Sequence, residues 1–287
     1  MARYSKSMFH RSFKSKLLIS LVIICLVYGI IMFASTSVQI DSKEIVSANI
    51  PRNFHDLTIL YASDFLYNGG STFYIDNVIS KINSYRADIV ILGGNYGTNY
   101  DNSLKFFDVI PNIHSNMGVY AVLGKNDINN DARDDYAIEK KMISKNISLL
   151  VNKSIDIKRE EDHIRLYGID DIDIGNPNFD FLNQGGVFTI FACNSAKGIE
   201  KILESINTLG REYVCDISLF GSTLGGQYYF NEELQKLLNP LEAPIYFSGW
   251  HGNNKNNILV SNGIGARDLG FRLGISPQIH IMKIKYR

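Results

Sequence analysis

Two aspartates stand where expected strands run out into loops: Asp64 in "SDFL" (63–66) and Asp127 in "LGKND" (123–127). Asn95 ends "LGGN" (92–95), and Lys125 and Asn126 precede Asp127. Cys193 lies in "FACNS" (191–195), Ser222 and Leu224 in "GSTLGGQ" (221–227), and His251 in "GWHGNN" (249–254). Carboxylate, imidazole and amide oxygen are the donors of a hard or borderline divalent-cation site, and carboxylates and histidines are the usual carriers of protons. This set is poor for both tasks. An ammonium repels a cation, Asn126 cannot act as a general acid, and Cys193 would suit only a soft metal. The loop 221–227 has the frame of a ligand-presenting turn but offers Ser222 and Leu224, neither a good metal ligand. Taken singly, each residue has a plain structural reading. Asp64 can cap a strand end, Cys193 can be a small buried side chain, Trp250 can be core, and His251 can be a surface or hydrogen-bonded histidine.

The elements that must position these residues alternate. "LTILYA" (57–62), "ADIVILGG" (87–94), "MGVYAVLG" (117–124), "VFTIFACN" (187–194) and "CDISLFG" (215–221) are short apolar runs of the kind that form buried strands. "FYIDNVISKINSY" (73–85) puts Ile75, Val78, Ile79 and Ile82 at helical spacing, and "AKGIEKILESINTL" (196–209) also reads as a helix. From "PIYFSG" (244–249) to "QIHIMKIKY" (278–286) the chain is strand-rich without a long helix. Strands alternating with helices, then a strand-rich end, point to a layered α/β domain. In such sheets sites gather at the C-terminal ends of strands, which is where the quoted loops fall.

Ahead of this domain, residues 17–34, "LLISLVIICLVYGIIMFA", carry no charge and are long enough to cross a bilayer. Arg3, Lys6, Arg11, Lys14 and Lys16 precede them. That flank predicts a cytoplasmic segment (1–16), a single-pass anchor in the cell membrane (17–34), a polar linker (35–54) and a main domain outside (55–287). A cleaved signal peptide is the alternative, with "FASTS" (33–37) as a weak cleavage site. Taking the five N-terminal basic residues from 29 leaves 24 against 29 acidic ones, so the body is near −5. That charge argues against nucleic acid as a partner. Of the three cysteines, Cys25 lies in the apolar segment, and Cys193 and Cys215 are expected as free thiols rather than as a disulfide.

In chain order, "SDFL" (63–66), "LGGN" (92–95), "LGKND" (123–127), "FACNS" (191–195) and "GSTLGGQ" (221–227) resemble the loops of the calcineurin-like metallophosphoesterases, most closely those of the bacterial subgroup with one N-terminal membrane anchor. The resemblance spans residues 55–287 and includes "LYGIDDI" (166–172) and a closing segment (260–279) with Gly263, Gly265, Arg272 and Pro277. It implies a four-layer α/β/β/α sandwich and, as the family norm, two divalent metal ions such as manganese, iron or zinc. The family's ligand positions fall on Asp64, Leu66, Asn95, Lys125, Cys193, Ser222 and Leu224, and only Asp64 keeps the family residue. Asn126 stands at the position of the histidine that assists the leaving group, and Asp127 at the aspartate that orients it.

The expectation is therefore an inactive pseudophosphoesterase without bound metal, acting by binding a ligand, a protein partner or an active relative. The alternative is an active phosphoesterase at the membrane surface using a rearranged site of Asp64, Asn95, Asp127 and His251. A thiol role for Cys193 has little behind it. Lys125 is expected to turn inward and pair with Asp64; the competing pose is outward, into solvent.

Overall fold

The apolar runs become the central strands of two six-stranded sheets. The computed structural model describes residues 2–129, 135–180, 186–209, 215–227, 245–253, 256–267 and 270–287. Pro244, Asn254, Asp268 and Leu269, which belong to stretches quoted above, lie outside the described residues.

The first sheet runs β1 (Gln39–Ser47), β12 (Gln278–Tyr286), β2 (Leu57–Ala62), β3 (Ile89–Leu92), β4 (Val119–Ala121) and β5 (Ile147–Leu149). β12 is antiparallel to β2, and the other neighbours are parallel. The second runs β10 (Gly249–Asn253), β11 (Asn256–Val260), β9 (Ile217–Gly221), β8 (Thr189–Ser195), β7 (Asp162–Gly168) and β6 (Lys153–Arg159), with antiparallel pairs only at its two edges. Among the described residues five α-helices accompany them: α1 (Ala2–Thr36), α2 (Phe73–Ser84), α3 (Tyr100–Val109), α4 (Tyr136–Ser144) and α5 (Gly198–Leu209).

Period-two alternation sorts the side chains into three cores. Ile59, Tyr61, Ile89, Ile91 and Val122 meet Leu166, Ile190, Ala192, Ile217 and Leu219 between the sheets. Leu60, Val90, Leu92 and Ala121, on the opposite face of the first sheet, pack on Ile75, Val78, Ile79 and Ile82 of α2, Phe106 and Phe107 of α3 and Ile138 and Met142 of α4. Phe191, Cys193 and Phe220, on the outer face of the second, pack on Ile199 and Ile202 of α5. The layers thus run helix, sheet, sheet, helix. The helix expected over 73–85 and the central strands are where the spacing put them. Asp170 and Asp171, after β7, bond the backbone N–H groups of their own turn.

The linker assignment for residues 35–54 is corrected. α1 ends at Thr36, and β1 starts at Gln39 and pairs with β12 along nine residues. Polar side chains suit an edge strand, whose outer face meets water, and only Ile45 is buried in it. A hydrogen-bonded chain staples this edge to the second sheet. The Asp41 carboxylate accepts from Trp250 Nε1 (3.0 Å) and meets His280 Nδ1 (2.9 Å), while His280 Nε2 meets Ser261 Oγ (3.0 Å). The bond to His280 is the main reason Asp41 titrates below the usual carboxylate range. Trp250 also lies under the Lys43 ammonium, 4.3 Å from ring centre to nitrogen.

Ser15–Thr36 of α1 is long and apolar enough to cross a membrane, and its side chains are not covered by the domain except in the last turn.

A chain beginning at residue 48 should unfold at lower urea than one beginning at residue 37, because it loses the β1 ladder and the buried Ile45. Burial of that one side chain is worth about 2 kcal/mol. Equal unfolding midpoints for the two chains would show that β1 adds nothing to the fold.

Candidate functional site

The C-terminal ends of β2, β3, β4, β8 and β9 converge on Asp64. Its side chain is fully buried, and its oxygens are taken by N–H donors. Oδ1 accepts from Asn95 Nδ2 (2.9 Å) and Asn194 Nδ2 (3.3 Å), and Oδ2 from the Ser222 backbone N–H (3.0 Å). The orientation of each amide follows from a backbone partner. Asn95 Oδ1 accepts from the Asn126 N–H (3.1 Å), so its nitrogen must face Asp64. Asn194 Nδ2 donates to the Gly93 carbonyl (2.6 Å), which leaves Asn194 Oδ1 to accept from Asn95 Nδ2 (2.8 Å).

Asp127 is the second buried carboxylate and organises the neighbouring loop. Oδ2 accepts from the N–H groups of Asn95 (2.6 Å) and Gly124 (2.9 Å), and Oδ1 from the Tyr96 N–H (2.9 Å) and the Ser103 hydroxyl (2.6 Å). Burial pushes its pKa up to about 6, against the pull of those four donors. Asn126 donates its side-chain N–H to the Gly97 carbonyl (3.1 Å). Both Asn126 and Asp127 thus hold loop backbone in place.

The loops themselves are conformationally unusual. Eleven described non-glycine residues have positive φ, and six of them are Asp64, Leu66, Asn95, Ser222, Leu224 and Gln227. A left-handed backbone costs about 1 kcal/mol or more at a non-glycine residue, and a leucine has no polar side chain to offset it. Leu66 and Leu224 are buried all the same. Glycines make the close approach feasible: a Cβ on Gly221 would sit 2.6 Å from Asp64 Oδ2, and one on Gly124 would sit 2.6 Å from both Asn95 Oδ1 and Asn194 Oδ1.

The buried cation in this region is Arg272, 2% exposed. It donates Nε and Nη2 to the Gly265 carbonyl and Nη1 to the Leu224 carbonyl (3.2 Å). It thereby ties together two loops that close over Asp64, since the Gly265 N–H donates to the Asp64 carbonyl oxygen (2.7 Å). Burial lowers its pKa to about 10, while the charges of Tyr74 and Asp64 act to raise it.

Of the residues singled out from sequence, Asp64, Asn95, Asn126, Asp127, Ser222, Leu66 and Leu224 come together, and three do not join them. Lys125 is exposed and has no ion pair with Asp64, because the amides already satisfy that carboxylate and Arg272 supplies the buried positive charge. Cys193 faces the outer core beside α5, and burial pushes its thiol up, as it does that of Cys215; both are free. His251 stacks on Tyr246 (3.7 Å between ring centres, 7° apart) and bonds the Ser248 carbonyl (2.8 Å). It is set back from the strand ends, opposite Ile258, which pairs with Ser218. Sequence reasoning missed Asn194. Strand parity was the signal: Ile190 and Ala192 face the inter-sheet core, so the next inward side chain is Asn194, not Cys193.

A two-metal centre does not fit this donor set. The groups around Asp64 present N–H toward it, the two leucines offer no donor atom, and Lys125 and Cys193 point elsewhere.

No family model matches the chain. Among curated proteins it is similar to uncharacterized protein YpbG of Bacillus subtilis (strain 168), 26% identical over 234 residues, which cover 79% of this chain and 81% of YpbG. Among solved structures it is similar to one crystal structure, at 11% identity with a TM-score of 0.43, over 72% of this chain and 91% of the other.

Asp127→Asn should cost about 2–4 kcal/mol in urea unfolding, because the new NH₂ faces donors. The pH dependence carries a definite sign. The folded pKa of about 6 exceeds the ordinary aspartate value of 3.8, so protonation favours the fold. That contribution is complete below about pH 4 and is lost as pH rises through 6. The stability gap between wild type and Asp127→Asn should therefore narrow by about 1 kcal/mol from pH 5 to pH 7.5. A gap that widens over that interval would contradict the assignment.

Proposed function

We propose that this chain is a membrane-anchored protein with the metallophosphoesterase-type α/β/β/α sandwich, whose metal pocket has become a closed hydrogen-bond network. In this reading it is a pseudophosphoesterase that acts by binding a ligand, a protein partner or an active relative. α1 is its retained single-pass anchor in the cell membrane, with the basic N-terminus cytoplasmic and the sheets outside. Nucleic acid is not a partner of its acidic body.

The observation that carries the reading is how Asp64 is satisfied. A metal-binding carboxylate keeps its lone pairs for cations. Here three of the roughly four acceptor sites of Asp64 are used by Asn95 Nδ2, Asn194 Nδ2 and the Ser222 N–H. The backbone supports common descent from a ligand-presenting site. Leu66 and Leu224, at two positions where the resemblance puts histidines, hold a left-handed conformation that leucine seldom adopts. The loops keep the form of a site whose side chains have changed. Retention of α1 is supported by its last turn, where buried Ser35 is bonded to the backbone of Arg272.

Full-length protein purified in detergent and supplied with manganese should hydrolyse phosphomonoesters and phosphodiesters no faster than a buffer control, and should carry no stoichiometric manganese, iron or zinc. One equivalent of bound metal, with turnover abolished by Asp64→Ala, would overturn the reading.

A further inference from the structure

The anchor and the Asp64 loops share one end of the molecule, and this follows from strand register. β1 starts at Gln39 opposite Gln278, and β12 is antiparallel to β2 with His280 opposite Tyr61. The first residues of β1 are therefore level with the C-terminal end of β2, the end that leads into Asp64. Only Ser37 and Val38 separate α1 from β1.

Hydrogen bonds hold that short connection. The Ser35 hydroxyl lies between the carbonyls of Ile31 (2.7 Å) and Arg272 (3.1 Å) and accepts the Arg272 N–H (2.8 Å). The Gln39 N–H donates to Pro277 O (2.8 Å), and Lys81 Nζ donates to Val38 O (2.5 Å). Arg272 in turn grips the Gly265 and Leu224 carbonyls beside Asp64. The end of the helix and the site loops are one bonded unit, so the domain has little freedom to swing away from the helix axis.

Crossing the hydrocarbon core of a bilayer takes about 20 helical residues, and Ser15–Thr36 supplies 22. Ser35 then lies at the outer headgroup level, and the strand-end loops lie next to it. Outside α1, the two most exposed large hydrophobic side chains among the described residues are Phe73 (74%) and Tyr136 (67%). Each is the first residue of its helix, α2 and α4. Both helices follow strands, β2 and β4, that end on the same edge, so both aromatics are on the anchor's side of the domain. An exposed aromatic ring at headgroup level is the side chain that membrane interfaces favour. The tether keeps the surface at high local concentration, so weak contacts are enough.

We propose that the strand-end face of the domain, with Phe73 and Tyr136 as its contact points, lies on the outer headgroup layer of the phospholipid bilayer. The inference rests on α1 being a retained anchor.

The test uses full-length protein with Cys25→Ser, reconstituted in phosphatidylcholine–phosphatidylglycerol vesicles. Single cysteines replace Phe73 and Tyr136 on one end, and Val46 and Ile143 on the other, where β1 and α4 finish exposed. Each carries an environment-sensitive fluorophore, and the quencher is a lipid with a nitroxide on its headgroup. Quenching several-fold stronger at positions 73 and 136 than at 46 and 143 is expected. Equal quenching at both ends, in protein that resists carbonate extraction and keeps α1 by intact mass, overturns the docking while the anchor stands. Loss of α1 from the mature chain overturns both.

Discussion

A carboxylate buried where strands end must have its charge answered, by cations, by donors or by a proton. Here the answer is donors, and most of the site follows from it. Asn95 and Asn194 reach Asp64 because their own carbonyl and amino groups are held by the Asn126 N–H and the Gly93 carbonyl. Those backbone groups are positioned by Asp127, which gathers the N–H groups of Asn95, Tyr96 and Gly124. One buried charge is thus satisfied by side chains whose loops are set by a second buried charge. The network also puts N–H donors, not open lone pairs, around most of the Asp64 carboxylate.

The arrangement depends on loops that the backbone alone would not choose. Asp64 and five other non-glycine residues of these loops are in left-handed conformation, and glycines 124 and 221 allow approaches that any Cβ would block. Arg272 opposes the strain by binding the Gly265 and Leu224 carbonyls from inside the molecule. Because Ser35 holds the backbone of that same arginine, the end of α1, the closing segment and the site loops are mechanically continuous. The fold positions its candidate site from two sides, by the strand ends and by the end of α1.

Much of the fold was legible because burial imposes simple periods. The apolar runs at 57–62 and 217–221 have one environment open to them, and Ile75, Val78, Ile79 and Ile82 mark a single helix face. β1 was hidden because an edge strand meets water on much of its surface, so its polar composition resembles a linker. At the site, residue types showed a poor set of metal donors but not how the buried carboxylates are satisfied. Lys125 was the obvious cation by position, yet the charge sits on Arg272, forty-eight residues after Leu224 in sequence and next to it in space. Cys193 was placed in the site by loop register, although strand parity sends it outward and Asn194 inward. Long-range pairing and side-chain direction, not element type, were the information lacking.

If the loops retain a ligand-presenting backbone and lack only the side chains, restoring those side chains should restore cation binding. The direct measurement is manganese titration by calorimetry of the full-length variant Leu66→His, Asn95→Asp, Lys125→Asn, Ser222→His and Leu224→His, beside wild type, each with native circular dichroism. The account predicts at least one tightly bound manganese per chain in the variant and none in wild type. A folded variant that binds no manganese, or a wild type that binds it equally well, would contradict it.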